Sequence, residues 1–537
     1  MVGESQGLTA RKTVALTRSL TFEIQIPLDM KKPVVSLLIG LFLAALSVSA
    51  QQITYSEPDR DDARALSFEI LGKMNGRLLV YKTYRDLHFV SVFDNDMKMT
   101  DKQRLDFLPD KVLGTEFLAY PDFVYMIYQY QRRNVFYCMA VKIGPDGKKM
   151  GDPIQLDTTA GMNFSANTKV YSFINSDDKQ KLMIFKINSR NDKMHVLTTL
   201  LFDKSLNLIK KSRLGVEMPQ RNDFLAEFSL DNEGDMACIR ASGTSQNDNI
   251  NRISLIIKKA EDDRLSSISD IPIKGLYLDD IRIKVDNLNK HYVITSYYSK
   301  QRRGNIDGIY YFLWDKTSGK ELVTSATQFS DEFRADARGE GNVKTAFNDF
   351  FLKNIILRKD GGFIVISESA YTSTRGNTLN RWDYLYGSPY WSSMDYYYWN
   401  SPMGYYPWWR SRSFTNSMTR YFADNVTVIS FSPEGKMEWS NVVRKSQYDD
   451  ETDNFIGYGI YNSGDKLNFL FNVQEKRDNI LTDQSIAPNG QINRNPTFKN
   501  LDRGYNFMPR HAKQVGARQM IIPCQYRGFT CFAKIDY

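Results

Sequence analysis

The sequence predicts an all-β chain folded as a β-propeller, and three observations lead there. Polar turn residues stand before runs rich in β-branched and aromatic residues, several of these turns recur at one spacing, and the last unit stops a strand short of the others. Turn chemistry ahead of a β-prone run is the signature of a hairpin.

The runs follow in order. Asn75-Gly76 precedes RLLVYKTY, Pro121-Asp122 precedes FVYMIYQY, Asp177-Asp178 precedes KLMIFKI, and Asn232-Glu233-Gly234 precedes DMACIRA. Asn287-Leu288-Asn289 precedes HYVITSYY, Asp360-Gly361-Gly362 precedes FIVISES, Ser463-Gly464 precedes KLNFLFNV, and Val515-Gly516 precedes RQMIIPCQ. Asp122 to Asp177, Asp177 to Asn232 and Asn232 to Asn287 are each 55 residues, and Gly464 to Gly516 is 52. The gaps Asn287 to Asp360 (73) and Asp360 to Gly464 (104) are longer because each carries an insertion.

A further strand follows in most units, as at His88–Asp94, His195–Asp203, Gly308–Asp315 and Asn425–Ser432, and then a turn such as Pro145-Asp146-Gly147 or Pro433-Glu434-Gly435. Four short strands at a period near 50 read as a propeller blade. Eight turn markers give eight blades, with seven as the alternative. The last unit ends at Tyr537 after GFTCFAKID, without a fourth strand. An unpaired edge there invites aggregation, and Ile53-Thr54-Tyr55-Ser56 is the β-prone segment expected to fill it and close the ring.

One unit carries a recognisable motif. Asp360-Gly361-Gly362-Phe363-Ile364-Val365-Ile366 leads, after an insertion, to Val428–Ser432, Pro433-Glu434-Gly435 and Trp439. This resembles a blade of exported bacterial repeat propellers, in which a DGG-aromatic hairpin is followed by a strand, a glycine turn and a Trp. The resemblance implies the fold; that family is functionally mixed, so it implies no activity.

The first 50 residues read as a leader. Met30-Lys31-Lys32 is followed by the apolar run Pro33–Leu46 and then by Ser47-Val48-Ser49-Ala50. A basic start, a short apolar centre and small residues before a polar stretch form a secretory signal peptide. A membrane span needs about 20 apolar residues, which makes an uncleaved anchor the alternative. Residues 1–29 are then an extension upstream of the true start at Met30, and 51–537 form a single propeller domain. The expected destination is outside the cytoplasm: periplasmic, outer-membrane-associated or extracellular. After cleavage no transmembrane segment is expected, and no Cys follows the cleavage site to take a lipid.

Composition narrows the function classes. With 42% hydrophobic and 25% charged residues and only 4 Cys, the chain is not disordered, collagen-like or a disulfide framework. The formal charge is +8, falling to +6 without residues 1–50. Basic pairs such as Lys210-Lys211 and Arg302-Arg303 are scattered, which disfavours a nucleic-acid partner.

Two insertions interrupt the rhythm. Residues 328–349 are charged and glycine-containing at their centre, which predicts a flexible loop with a short helix at Thr345–Leu352. Residues 372–424 lie between strands of the sixth unit. The span Trp382–Trp409 holds Trp382, Tyr384, Tyr386, Tyr390, Trp391, Tyr396, Tyr397, Tyr398, Trp399, Tyr405, Tyr406, Trp408 and Trp409, which is 13 aromatic residues in 28. Tyr and Trp join large apolar faces to a polar tip and have few rotors to freeze, a combination that suits adhesive surfaces. The insertion is therefore the candidate site for a protein or glycan partner, through Trp382, Tyr384, Tyr386, Tyr390, Trp391, Tyr397, Trp399, Tyr405, Trp408 and Trp409. A loop packed onto its own blade, or contact with a lipid interface, are the alternatives.

Catalytic and metal signatures are sparse. His88, His195, His291 and His511 show no metal-ligand spacing. Cys138 and Cys238 sit singly in strand runs as buried apolar residues, whereas Cys524 and Cys531 face each other if Arg527-Gly528 forms a two-residue turn, which permits a disulfide in an oxidising compartment. Asp449-Asp450-Glu451 and Asp453 lack the spacing of a calcium loop and read as a solvated turn, with calcium the lesser alternative and no cofactor otherwise implied. The sequence thus reads as an exported non-enzymatic binding scaffold. The alternative is a polysaccharide-active hydrolase or lyase with carboxylates at the central channel.

Overall fold

The chain divides into Met1–Ala50 and Gln51–Tyr537. The computed structural model describes residues 52–537 except 60–66, 85, 161–168, 192, 245–247, 340–341, 375–418, 451, 476–477, 495–497 and 499–503. Among the described residues the strands form seven hydrogen-bonded antiparallel sheets that group into eight consecutive units, units 4 and 5 sharing one sheet through the pairing of Ile250 with Leu278. Unit 1 spans Ser67–Met74 to Met99–Arg104, unit 2 Gly114–Ala119 to Lys149–Ala160, unit 3 Ser172–Asn175 to Leu208–Glu217, and unit 4 Asp223–Leu230 to Ser267–Ile271. Unit 5 spans Tyr277–Asp286 to Lys320–Gln328, unit 6 Phe350–Leu357 to Met437–Val443, and unit 7 Gly459–Asn462 to Ile492–Arg494. Unit 8 is built from Lys513–Gly516, Gln519–Tyr526 and Phe529–Asp536, with Tyr505–Phe507 also paired to its second strand.

Seven of the eight turn markers sit between the first and second strands of their units; the eighth, Val515-Gly516, ends the first strand of unit 8, and the turn there is Ala517-Arg518. Asn75 and Gly76, with φ of 47° and 79°, form a two-residue turn between the paired residues Met74 and Arg77. Positive φ at both central positions is what Asn-Gly supplies most readily, and it matches the twist of the flanking strands.

Burial explains why the units close on one another. The second strands are buried nearly end to end, as in Leu78–Lys82 and Tyr292–Ser299, while fourth strands such as Lys149–Ala160 are largely exposed. A small sheet cannot bury two apolar faces by itself, and here eight separate core clusters form, one at every seam between neighbours. The cluster Ile70, Leu78, Val80, Phe93, Ile521 and Phe532 joins unit 8 to unit 1 and makes the arrangement a ring. First strands of most neighbouring units lie side by side, including those of units 1 and 8, so they surround the axis. This is a β-propeller.

The expected closure is present. Gln52–Tyr55 pairs antiparallel with Phe529–Asp536 as the fourth strand of unit 8, in the register Ile53–Ile535 and Tyr55–Ala533. Buried Ser56 continues it: its N–H donates to Phe532 O at 2.8 Å, and its Oγ accepts from Phe532 N at 3.0 Å.

Motif residues of unit 6 act between units. Gly435, at φ 72°, lies so close to Tyr311 of unit 5 that a Cβ would sit 2.4 Å from the ring. Trp439 packs beneath Gly490 of unit 7, and its Nε1 donates to Pro488 O at 3.1 Å.

The first insertion corrects the sequence reading. No helix forms at Thr345–Leu352; a 3-10 turn covers Val343–Thr345, and Phe350–Leu357 is the first strand of unit 6, paired with Phe363–Thr374. The helix, α1, lies earlier, at Asp331–Arg338. Ser330 Oγ accepts from Phe333 N at 3.2 Å, Asp331 and Glu332 occupy the first turn, Arg338 the last, and Gly339 ends the helix at φ 74°. Those charges complement the helix ends, although in sequence they resemble a polar loop. Phe333, Arg334 and Ala337 are buried in the seam of units 5 and 6. The second insertion is narrower than expected, because the strands of unit 6 pair out to Thr374 and Thr419.

Candidate functional site

In a four-stranded meander the first-to-second and third-to-fourth turns share one face of the ring. The second-to-third turns and the connections between units share the other. The 375–418 segment joins the second and third strands of unit 6, so it leaves from the second face. Its base is a two-stranded stalk in which Thr372 pairs with Tyr421, Ser373 with Arg420 and Thr374 with Thr419. Tyr371 and Phe422 stack at 4.5 Å with 10° between planes, and Tyr371 OH donates to Asp424 Oδ2 at 3.0 Å. Arg420 pairs with Asp450 and lies 4.8 Å over the Tyr448 ring. Trp382, Tyr384, Tyr386, Tyr390, Trp391, Tyr397, Trp399, Tyr405, Trp408 and Trp409 lie outside the described residues.

The first strands carry a second group of polar residues around the axis. In units 4, 5 and 6 the pairing slips at one place, between Ala226 and Ser229, Asp279 and Arg282, and Leu352 and Asn354. Such bulges re-aim side chains. The residues set free include Glu227 (φ 55°), Asp280 (φ 48°) and Lys353. Left-handed backbone at a non-glycine residue is uncommon, and here it turns two acids toward the next unit. Glu227 accepts from Ile283 N of unit 5 at 3.3 Å, and Asp280 accepts from Leu352 N of unit 6. Arg282 joins both acids, with Nη1 3.2 Å from Glu227 Oε1 and Nη2 3.0 Å from Asp280 Oδ1. Burial raises the Glu227 carboxyl against the pull of Arg282.

Unit 6 departs from this pattern: the bulged residue is Lys353, exposed to solvent and without an ion pair or hydrogen bond among the described residues. Although its side chain reaches solvent, the protein packed around it lowers its affinity for a proton, Arg510 and Arg282 add to that effect, and Glu368 and Asp280 oppose it. Glu368 and Lys445 form a buried pair at 2.8 Å, with Lys445 also donating to Ala423 O at 2.8 Å and Gln447 Oε1 at 2.9 Å. Burial disfavours the Glu368 anion, yet Lys445, Lys353 and Arg510 outweigh it and hold the carboxyl below its ordinary range. On the other side of the ring, Glu116 pairs with Lys169, and burial near Glu116 pushes the Glu69 carboxyl up to about 7 despite Lys513.

The acidic cluster is engaged by arginines. Asp450 pairs with Arg420, Asp453 with Arg510, and Asp449 accepts from Thr452 N at 2.9 Å. The histidines are spread over units 1, 3 and 5 and the segment leading into unit 8. Cys138 and Cys238 are buried, as expected. Cys524 and Cys531 face each other in register across the Arg527-Gly528 turn, with Sγ atoms 3.1 Å apart and unbonded in this structure. Sequence reasoning missed Glu227, Asp280, Arg282 and Lys353. One signal for them was present: Glu227 and Arg282 stand 55 positions apart, the same interval as the turns.

The fold and these side chains define a β-propeller with charged side chains on its first strands. No protein-family model and no curated protein matches the chain. Among solved structures it is similar to the WD40 domain of SCAP from fission yeast, at 8% identity and TM-score 0.39, over 91% of this chain and 98% of that one. It is also similar to the polysaccharide lyase Uly1, at 10% identity and TM-score 0.36, over 78% of this chain and 89% of that one. A further similar structure is prolyl oligopeptidase B from Galerina marginata, at 9% identity and TM-score 0.38, over 87% of this chain and 56% of that one.

Proposed function

We propose that the protein is an exported, non-enzymatic propeller that serves as a binding scaffold, holding a protein or glycan partner on the aromatic insertion of unit 6. The observation that carries this reading is the stalk. The ladder of unit 6 continues to Thr374 and Thr419, so a segment with 13 aromatic residues in 28 leaves from an ordered hairpin at a defined place on the ring. A rigid platform lowers the entropy lost when aromatic anchors engage a partner. Aromatic anchors dominate binding energy elsewhere, each costing about 2 kcal/mol or more on truncation. The leader-like residues 30–50 support export. The test is capture of binding partners by the wild type and by a variant lacking residues 381–411. The reading expects loss of capture with the melting temperature retained; equal capture removes the proposed site.

One observation favours a second reading, a polysaccharide-active hydrolase or lyase. Glu69 sits on the first strand of unit 1 with its carboxyl raised by burial to about 7, which suits a general acid at neutral pH. Glu69→Gln abolishes turnover of an acidic polysaccharide on that reading and leaves partner capture unchanged on the first.

A further inference from the structure

The insertion that carries α1 supplies the third wall of a cleft of about 450 Å³ beside the fourth strands of units 6 and 7. The first wall is the fourth strand of unit 6 and its continuation, with Asn441, Val442 and Arg444. Unit 7 forms the second, with Gln484 on its third strand and Ile492 and Arg494 on its fourth. Asp336 of α1 closes the third side. Small-molecule sites have volumes of this size. The lining holds two guanidinium groups and one carboxylate. Arg444 Nη2 donates to Asp336 Oδ1 at 3.1 Å, and both side chains are more than half exposed, a setting in which an ion pair is weak. Arg494 is exposed and makes no ion pair or hydrogen bond among the described residues. Asn441 Nδ2 donates to Gly490 O, which leaves its Oδ1 open as an acceptor, and Gln484 adds a second carboxamide.

We infer that this cleft binds an anionic saccharide, a sugar ring that carries a carboxylate or a sulfate ester. The planar fork of a guanidinium takes two oxygens of one anion at once. A lining with one cation in excess suits a singly charged group, which both of these are. Carboxamides donate and accept, as ring hydroxyls do. Val442 and Ile492 are half-buried, so they offer the C–H face of a ring a contact but no apolar pocket for a peptide side chain. The helix lies in the connection into unit 6, on the face from which the aromatic insertion leaves, so both insertions flank one unit. The inference rests on the scaffold reading only in treating the protein as a binder, and it adds a ligand class and a site separate from residues 381–411.

The experiment is calorimetric titration of the full chain at low salt with digalacturonate and, separately, with galactose 6-sulfate. Maltose serves as the neutral control and diglutamate as the peptide control. The wild type is expected to bind one or both anionic sugars and neither control, with affinity falling as salt rises. The tighter of the two sugars identifies the anion. Arg494→Gln is expected to weaken binding about tenfold or more. Asp336→Asn, which releases Arg444, is expected to tighten it severalfold, a gain that a merely structural role would not give. Both positions are exposed, so melting temperatures are expected to stay unchanged. Any of four results overturns the inference: no binding of either anionic sugar by the wild type, wild-type affinity in Arg494→Gln, equal or weaker binding in Asp336→Asn, or equal or tighter binding of diglutamate. The variant lacking residues 381–411 is expected to retain saccharide binding. Loss of partner capture and loss of saccharide binding are therefore read separately.

Discussion

The backbone N–H of Asn232 donates to Asn287 Oδ1 at 2.9 Å across 55 positions of sequence. Asn287 Nδ2 donates in turn to Asp177 Oδ2 at 2.7 Å, and Asp178 N donates to Asn232 Oδ1 at 3.2 Å. The turn residues whose spacing displays the repeat are thus in contact: two of these bonds join the first-to-second turns of neighbouring units, and the one from Asn287 to Asp177 reaches from unit 5 to unit 3. Near the end of the chain, Asn462 N donates to Gln514 Oε1 at 3.1 Å across 52 positions.

Asn287→Ala removes the acceptor for a half-buried N–H and the donor to Asp177. The expected cost is about 1 kcal/mol, read as a lower urea midpoint with an unchanged slope. An unchanged midpoint shows that these turn contacts are incidental to the seam.

Closure of the ring is tested at Ser56. Replacing it with Ala leaves the buried Phe532 N–H without its acceptor, a cost of about 1–3 kcal/mol. Deletion of residues 51–57 removes the whole edge strand, including the stack of Tyr55 on Tyr505 at 4.2 Å. It is expected to lower the melting temperature of the entire ring in one transition. A deletion variant that melts like the wild type contradicts closure by this strand.

The ring was legible because its evidence is local and repeated. Turn residues with positive φ precede strands buried on both faces, and the missing last strand has a short β-prone partner at Gln52–Tyr55. The helix at Asp331–Arg338 was not legible as such. Its Ser330 cap and first-turn acids look like a polar loop until Phe333 and Ala337 are seen to share a buried face. The channel residues were harder still. Whether Glu227, Asp280 and Lys353 face the axis depends on where each ladder slips, and a slip leaves no mark in composition. Turning any of the many acids of this chain into a site required that geometry.

Two titratable groups, Glu69 and His511, give opposite pH signatures. Burial and Glu116 raise the Glu69 carboxyl from 4.5 to about 7, against Lys513. The folded state then keeps a proton that the unfolded chain has lost, so stability falls as pH rises from 4.5 to 7. Burial and Arg510 lower the His511 imidazole from 6.5 to about 4, against Asp453. Here the unfolded chain binds the proton first, so the contribution is full above 6.5 and is lost as pH falls toward 4. Urea midpoints from pH 4 to 8 are expected to rise for Glu69→Gln relative to wild type as pH passes from 4.5 to 7. For His511→Gln the acid-side loss is expected to shrink. Parallel profiles for all three proteins contradict both assignments.

Cys524 and Cys531 form a directly opposed pair in neighbouring strands. Opposed residues in antiparallel strands have Cα atoms about 4.5–5.5 Å apart, within the range a disulfide bridges. Burial and the neighbouring Cys531 thiol push the Cys524 thiol well above its ordinary value, which suppresses the reactive thiolate. Oxidation is therefore expected before the hairpin is buried, by exchange with a disulfide oxidant that takes up the two electrons. Alkylation in denaturant followed by mass spectrometry is expected to find two free thiols, on Cys138 and Cys238, in protein folded under oxidising conditions. Four alkylated cysteines in that sample contradict the linkage.

The scaffold reading stands most directly on the segment that the unit 6 hairpin presents. Five of the seven tryptophans lie between Trp382 and Trp409, so partner binding there also reports itself in tryptophan emission. The decisive measurement compares partner capture by the wild type with capture by the variant lacking residues 381–411, at matched concentration and with both proteins shown to melt alike. The account predicts that the variant recovers no partner and that the wild-type emission shifts on binding. Equal recovery by both proteins contradicts it.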